Sequence, residues 1–144
     1  MTLKTSLALV TVLAVAGAAF WTTRSPSEAP PPPLAEGEET LVDVLVPAEF
    51  SPQARMGRMA FDAICAACHG QNAAGRAGYG PPLVHRIYEP SHHADASFFL
   101  AVQNGVRAHH WPFGNMPPQD GLTRADVTAI IAYVRELQRA NGIE

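Results

Sequence analysis

The segment Cys65-Ala66-Ala67-Cys68-His69 constrains this chain more than any other part of its sequence. C-x-x-C-H is the attachment pattern for a c-type haem. Two intervening residues let one helical turn present both sulfur atoms to one edge of the porphyrin, where each thiol can form a thioether with a vinyl group. The histidine that follows then binds the iron through an imidazole nitrogen. The motif predicts one covalent haem, with Cys65, Cys68 and His69 as its first contacts.

Two other uses of a C-x-x-C pair compete with this interpretation. A structural zinc site needs four ligands, whereas Cys65 and Cys68 are the only cysteines in the chain. A redox dithiol of the thioredoxin type needs a βαβ setting, and no run of buried strands surrounds the motif. The haem interpretation is therefore favoured.

Residues 1–24 are predicted to be a signal peptide or a signal anchor. Lys4 supplies a short positive region, and residues 7–21 are apolar apart from Thr11. Alanines near residue 18 offer cleavage sites, but residues 3–23 would form about 31 Å of helix, just enough to span a bilayer. Trp21 would then lie in an interfacial aromatic belt. The balance favours an uncleaved anchor, cleavage stays open, and in both cases the remainder of the chain is exported.

Residues 25–49 are predicted to be a linker rich in proline and glutamate. Four consecutive prolines occupy positions 30–33, and residues 28–43 hold five acidic residues and no basic one. Such a composition cannot bury enough apolar surface to fold by itself, and a proline run forms a stiff spacer of about 3.1 Å per residue. The short apolar patch at residues 41–46 is expected to be a loop packed on the surface of the folded part.

Residues 50–144 are predicted to form the haem domain, with three main helices. The first begins at Ser51-Pro52, a good N-cap followed by proline at the first helical position, and runs towards Cys65. The second covers residues 96–103, with Asp95 as its cap, and is apolar enough to line a haem. The third begins at Thr123, with Asp126 completing a capping box, and carries a continuous apolar stripe. Residues 70–80 and 106–122 are glycine- and proline-rich and are predicted to be loops.

Met116 lies in the second of these loops, directly before two prolines. A methionine there has no helix face to pack on, whereas Met56 and Met59 lie on the first helix and are expected to be packing residues. Coordination of the haem iron by its thioether would explain a methionine at this position. The predicted iron ligands are therefore His69 and Met116, the pair found in electron-transfer cytochromes.

Together these features resemble the class I cytochromes c, over roughly residues 52–141. Gly57 and Phe61 ahead of the Cys65–His69 motif match the family's N-terminal helix, and the order of the later segments also agrees. These segments are Gly80-Pro81-Pro82-Leu83, Asn115-Met116-Pro117 and Ile130-Ile131-Ala132-Tyr133-Val134.

The resemblance implies an all-α cytochrome c fold, with three to five helices around one covalently bound haem c. It implies that the carbonyl of Pro81 holds the His69 ring, and that Ile130 and Tyr133 cross the first helix at Gly57 and Phe61. It also implies a one-electron carrier rather than an enzyme.

The expected partners are redox proteins of the membrane or the periplasm, with the chain on the periplasmic side of the bacterial inner membrane, or in the soluble periplasm if the N-terminal segment is cleaved. A net charge of −3 does not suggest nucleic acid as a partner. Lys4 is the only lysine, so the lysine docking ring of mitochondrial cytochromes c is not expected and a cationic docking face would consist of arginine.

Two alternatives stay open. One is a haem with a labile sixth ligand that binds a small gas molecule. The other concerns two histidine pairs, His92-His93 and His109-His110, since adjacent histidines can bind copper or zinc. His109 or His110 replacing Met116 on the iron is a related option.

Mass spectrometry of the native protein tests the central prediction. We expect the exported chain to weigh more than its amino acids by one haem, and the same spectrum locates the N-terminus and thereby decides between anchor and cleaved signal. A mass equal to that of the bare polypeptide would contradict the prediction.

Overall fold

The computed structural model describes residues 40–144. The predicted signal segment at residues 1–24 and the proline-rich part of the linker lie outside the described residues. Within residues 40–144 the structure contains four α-helices and no strand, so the predicted all-α class is confirmed. The helices are α1 (Pro52–Ile64), α2 (Ala66–His69), α3 (Asp95–Asn104) and α4 (Arg124–Ala140). None of these helices is long and apolar enough to cross a membrane.

The long helices α1 and α4 start at the residues that the sequence predicts. The Ser51 side chain accepts a hydrogen bond from the amide of Ala54. At α4, Thr123 Oγ1 accepts from the Asp126 amide at 3.2 Å, while the Thr123 amide donates to Asp126 Oδ2 at 2.8 Å. Because these contacts satisfy amides that have no partner inside the helix, they determine where each helix begins.

Helices α1 and α4 pack against each other to form the core. A Cβ on Gly57 would lie 1.9 Å from the backbone oxygen of Ala129, so only glycine permits the two backbones to approach this closely. One turn further along, the rings of Phe61 and Tyr133 have centroids 5.5 Å apart and are fully buried. Each such ring contributes roughly 1.5–3 kcal/mol relative to an exposed one. The implied crossing at Gly57 and Phe61 is present.

Arg135 links α4 to the segment that precedes α3. Arg135 is only 7% exposed, and its Nε donates to Asp95 Oδ1 at 2.8 Å. Its Nη1 donates to the carbonyl of Tyr88 at 2.8 Å and its Nη2 to that of His93. The neighbouring Gln138, also buried, donates to the carbonyls of Leu83 and Tyr88. These bonds satisfy the buried guanidinium and hold residues 83–95 against α4.

Asp95 was expected to cap α3, and this is wrong. The N-cap is Ala94, which makes no side-chain cap, and Asp95 is the first residue of the helix. Its carboxylate is instead turned to Arg135. A partner forty positions along the chain cannot be recognised from the local sequence, and the charge-assisted hydrogen bond to the buried Arg135 engages the carboxylate that would otherwise cap the helix.

Two methionines of α1 lie on its exposed side. Met56 and Met59 are 56% and 67% exposed, so their predicted packing role is wrong. Residues 70–80 form the predicted loop: Asn72 and Ala73 have positive φ values of 54° and 57°, so the turn at Gln71–Ala73 is not a regular helix. Residues 41–46 pack on the folded part, as their apolar pattern predicts: Val44 and Val46 pack against the core, and the Leu45 backbone exchanges two hydrogen bonds of 2.9 Å with the Asn141 side chain.

We predict that Gly57→Ala lowers the free energy of unfolding by about 1–3 kcal/mol, because the added methyl group must push α1 away from α4. Denaturant unfolding of the haem-loaded protein measures this, with Met59→Ala on the exposed side of α1 as the matched control. Equal stability of Gly57→Ala and wild type would show that the helices can separate at no cost.

Candidate haem-binding site

One helical turn carries the three reactive or ligating residues of the C-x-x-C-H motif, Cys65, Cys68 and His69. Cys65 closes α1, its amide donating to the carbonyl of Phe61 at 2.8 Å. The Cys65 carbonyl then accepts from the amides of Cys68 and His69, at 3.1 and 2.9 Å. Both cysteines are free thiols and partly exposed. The spacing that the sequence predicts for two-point attachment is therefore built into the backbone.

The ionisation of the two thiols distinguishes this site from a redox dithiol. Burial raises the pKa of Cys65 to about 12, and the neighbouring Cys68 adds to the effect. Burial also raises the pKa of Cys68, although the charge of Arg76 opposes it. Redox-active C-x-x-C motifs have a lowered thiol pKa. The cysteines here are neutral S–H groups at neutral pH, which argues against a thioredoxin-like function.

The His69 ring is oriented by a backbone carbonyl. Its Nδ1 lies 2.9 Å from the oxygen of Pro81, the two groups that the resemblance pairs. A carbonyl only accepts, so Nδ1 carries the proton and Nε2 keeps a lone pair for a metal. Burial lowers the pKa of His69, with the Pro81 hydrogen bond acting in the opposite direction. The imidazole is thus held neutral, in the form that ligates iron.

The loop after the motif folds back onto it at very short range. The amide of Gly75 donates to the carbonyl of His69 at 2.7 Å. A Cβ on Gly80 would lie 2.6 Å from the carbonyl oxygen of Cys68, so this position requires glycine. Asn72 has a positive φ of 54°, and its Oδ1 accepts from the Tyr133 hydroxyl at 3.3 Å. The loop that carries Pro81 is therefore placed by the motif on one side and by α4 on the other.

Arg76 is a site residue that the sequence analysis missed. Its side chain is 3% exposed and its Nη1 donates to the carbonyl of Ala67, between the two cysteines. Its backbone amide donates to Gly80, and its guanidinium lies 3.9 Å from the centre of the Tyr79 ring. An arginine in a run of glycines was the available signal, since a charged residue there has few local partners.

Met116 is held at the end of α3. Its amide donates to the carbonyl of Val106 at 3.0 Å, and its carbonyl accepts from the Val106 amide at 2.9 Å. A Cβ on Gly105 would lie 2.4 Å from the Met116 oxygen. Asn115 Oδ1 accepts from the amide of Ala108 at 2.9 Å, which closes the base of loop 107–115. The structure thus brings Cys65, Cys68, His69 and Pro81 together in one site. Met116 is positioned separately, through the hydrogen bonds between its backbone and that of Val106.

Helix α3 supplies apolar surface that fits a haem. It contains Phe98, Phe99, Leu100 and Val102, yet none of its residues is buried, and Leu100 is 57% exposed. A porphyrin is a large apolar plate, and exposed apolar surface of this kind commonly marks a binding site. The donor set, with two neutral thiols and one oriented imidazole, is the one that a c-type haem requires.

The fold and this site define a small helical protein that holds a c-type haem covalently. Residues 54–138 match the model of the cytochrome c family. The chain belongs to that family, its cofactor is a covalent c-type haem with iron, and haem-based electron transport is the general function of its members. No curated protein and no solved structure matches the chain. The predicted family and cofactor are confirmed.

We predict that Cys65→Ser and Cys68→Ser each leave one thioether, and that the double variant holds haem without a covalent bond. Denaturing extraction into acidified organic solvent separates these states, since covalent haem stays with the protein and free haem leaves it. Retention of haem by the double variant after extraction would contradict attachment at these two sulfurs.

Proposed function

We propose that this protein is a one-electron carrier whose haem iron is ligated by His69 and Met116. The observation that carries the proposal is the 2.9 Å contact between His69 Nδ1 and the Pro81 carbonyl, which leaves Nε2 available on a half-buried neutral ring. When bound, the haem supplies the one-electron iron couple. His69 and Met116 would hold the iron, and ligation by both would leave it no open position, so substrate chemistry is disfavoured.

The protein's own groups set the properties of this carrier. The carbonyl of Pro81 increases the basicity of the His69 imidazole and holds its ring in one orientation. The thioether of Met116 is a neutral ligand that needs no proton removed, and its position in a loop fixed to Val106 supports the assignment. Apolar side chains of α3 disfavour the extra charge of ferric haem. The thioether ligand and the apolar surroundings would both raise the reduction potential.

We further propose that the carrier works on the periplasmic side of the bacterial inner membrane, anchored by residues 1–24, with membrane or periplasmic redox proteins as partners. The apolar N-terminal sequence and the proline-rich segment that follows it support this proposal. A tether raises the local concentration of a carrier near membrane-bound partners without any new contact. If residues 1–24 are cleaved, the same carrier diffuses in the periplasm.

Met116→Ala tests the axial pair. We expect the low-spin spectrum of His/Met ligation to disappear and the reduction potential to fall markedly, because the thioether that stabilises the ferrous state is lost. Met59→Ala, at a position that is 67% exposed, is the matched control and should leave both measurements unchanged.

The same variants separate the rival hypotheses. An unchanged spectrum in Met116→Ala would remove this methionine from the iron and favour His109 or His110 in its place. Rapid carbon monoxide binding by the ferrous wild-type protein would instead favour the gas-binding alternative, since a firmly bound sixth ligand slows it.

A further inference from the structure

Four imidazoles from two separate loops meet at one place on the surface. His92 and His93 follow the 3₁₀ turn Arg86–Tyr88, and His109 and His110 belong to loop 107–115. The ring centroids of His92 and His110 are 5.5 Å apart, and those of His93 and His110 are 5.4 Å apart. Two pairs that are distant in sequence thus converge in the fold.

Three of these rings place their nitrogens within reach of a single ion. One ring nitrogen from each of His92, His93 and His110 lies within 4.8 Å of the others. Ligand nitrogens on a tetrahedral ion, at 2.0–2.1 Å from the metal, are about 3.3 Å apart. The 4.8 Å limit exceeds this spacing by about 1.5 Å, a difference that small side-chain rotations at two of the rings would close. Because His92 and His110 are exposed, their rings can make this adjustment and an ion can enter from solvent.

The half-buried member of the set is already oriented as a ligand. His93 Nδ1 lies 2.6 Å from the carbonyl of Ile87, so it carries a proton and leaves Nε2 with a lone pair. The His93 amide donates to Glu89 at 2.8 Å, and its carbonyl accepts from Arg135. Hydrogen bonds from a ligand histidine to a backbone carbonyl are the usual supporting contacts of metal sites.

The electrostatics of His110 agree with this arrangement. Desolvation, followed by the nearby imidazoles of His109, His93 and His92, lowers the pKa of His110. A lowered pKa favours the neutral form of the ring. Rings that crowd in this way repel one another when protonated, and a shared metal ion removes that repulsion.

We propose that His92, His93 and His110 form a binding site for a divalent first-row transition metal, separate from the haem iron. Three imidazoles without a carboxylate suit Cu²⁺, Zn²⁺ or Ni²⁺ rather than Mg²⁺ or Ca²⁺, and Cu²⁺ should bind most tightly of the three. A solvent molecule completes the coordination, as at other three-histidine sites. The bound ion joins the turn before α3 to the loop that ends at Met116.

The experiment uses the haem-loaded full chain without an affinity tag, titrated separately with Cu²⁺, Zn²⁺ and Ni²⁺ against a chromophoric chelator. We expect binding of one ion per chain, with His92→Gln, His93→Gln and His110→Gln each weakening it at least about tenfold. His109→Gln is the matched control in the same loop and should keep the wild-type affinity. Electron paramagnetic resonance of the Cu²⁺ form should show nitrogen donors, with one fewer in His110→Gln.

Two results would overturn the proposal. One is a wild-type affinity no higher than that of the triple variant at positions 92, 93 and 110. The other is an equal loss in His109→Gln and His110→Gln, which would indicate a diffuse histidine patch rather than the three-ligand site. The haem spectrum checks that each variant is folded, and because it reports the axial ligands of the iron separately, failure of this site leaves the proposed electron carrier unaffected.

Discussion

The hydrogen bond from His69 to the carbonyl of Pro81 ties the motif to the rest of the molecule. Twelve residues separate the two groups, and the intervening loop must return to within van der Waals distance of the motif backbone. Gly80 makes that return possible because a side chain there would collide with Cys68. The chemistry at the iron position therefore depends on a loop whose path is set by backbone contacts.

The packing of α1 against α4 also supports this site. Phe61 lies one turn before Cys65, and its ring packs on Tyr133, whose hydroxyl reaches Asn72 in the loop after the motif. Burial raises the pKa of Tyr133 to about 12, so the hydroxyl stays protonated and can donate. The core and the site thus share residues, and a change at Gly57 would be transmitted to both. Arg135 extends the same framework to the segment before α3.

Several features of the fold could be predicted because their causes are local. Ser51 and Thr123 cap helices through contacts within three residues, and the C-x-x-C-H spacing is itself one helical turn. Features that depend on distant partners could not be predicted in this way. The sequence offers Asp95 as a cap, and only the pairing in space shows that its partner is Arg135. The exposure of Met56 and Met59 likewise depends on which side of α1 faces α4.

The sequence by itself determined the cofactor, the family and the helical class, and it indicated Cys65 and Cys68 as the attachment residues, because these follow from residue types at short spacings. Only the tertiary structure decided how Arg76 is used beside the motif and that His92, His93 and His110 converge. These are contacts across long stretches of chain. Their geometry is determined by close packing and by the need to satisfy buried polar groups, and a local sequence pattern predicts neither of these two effects.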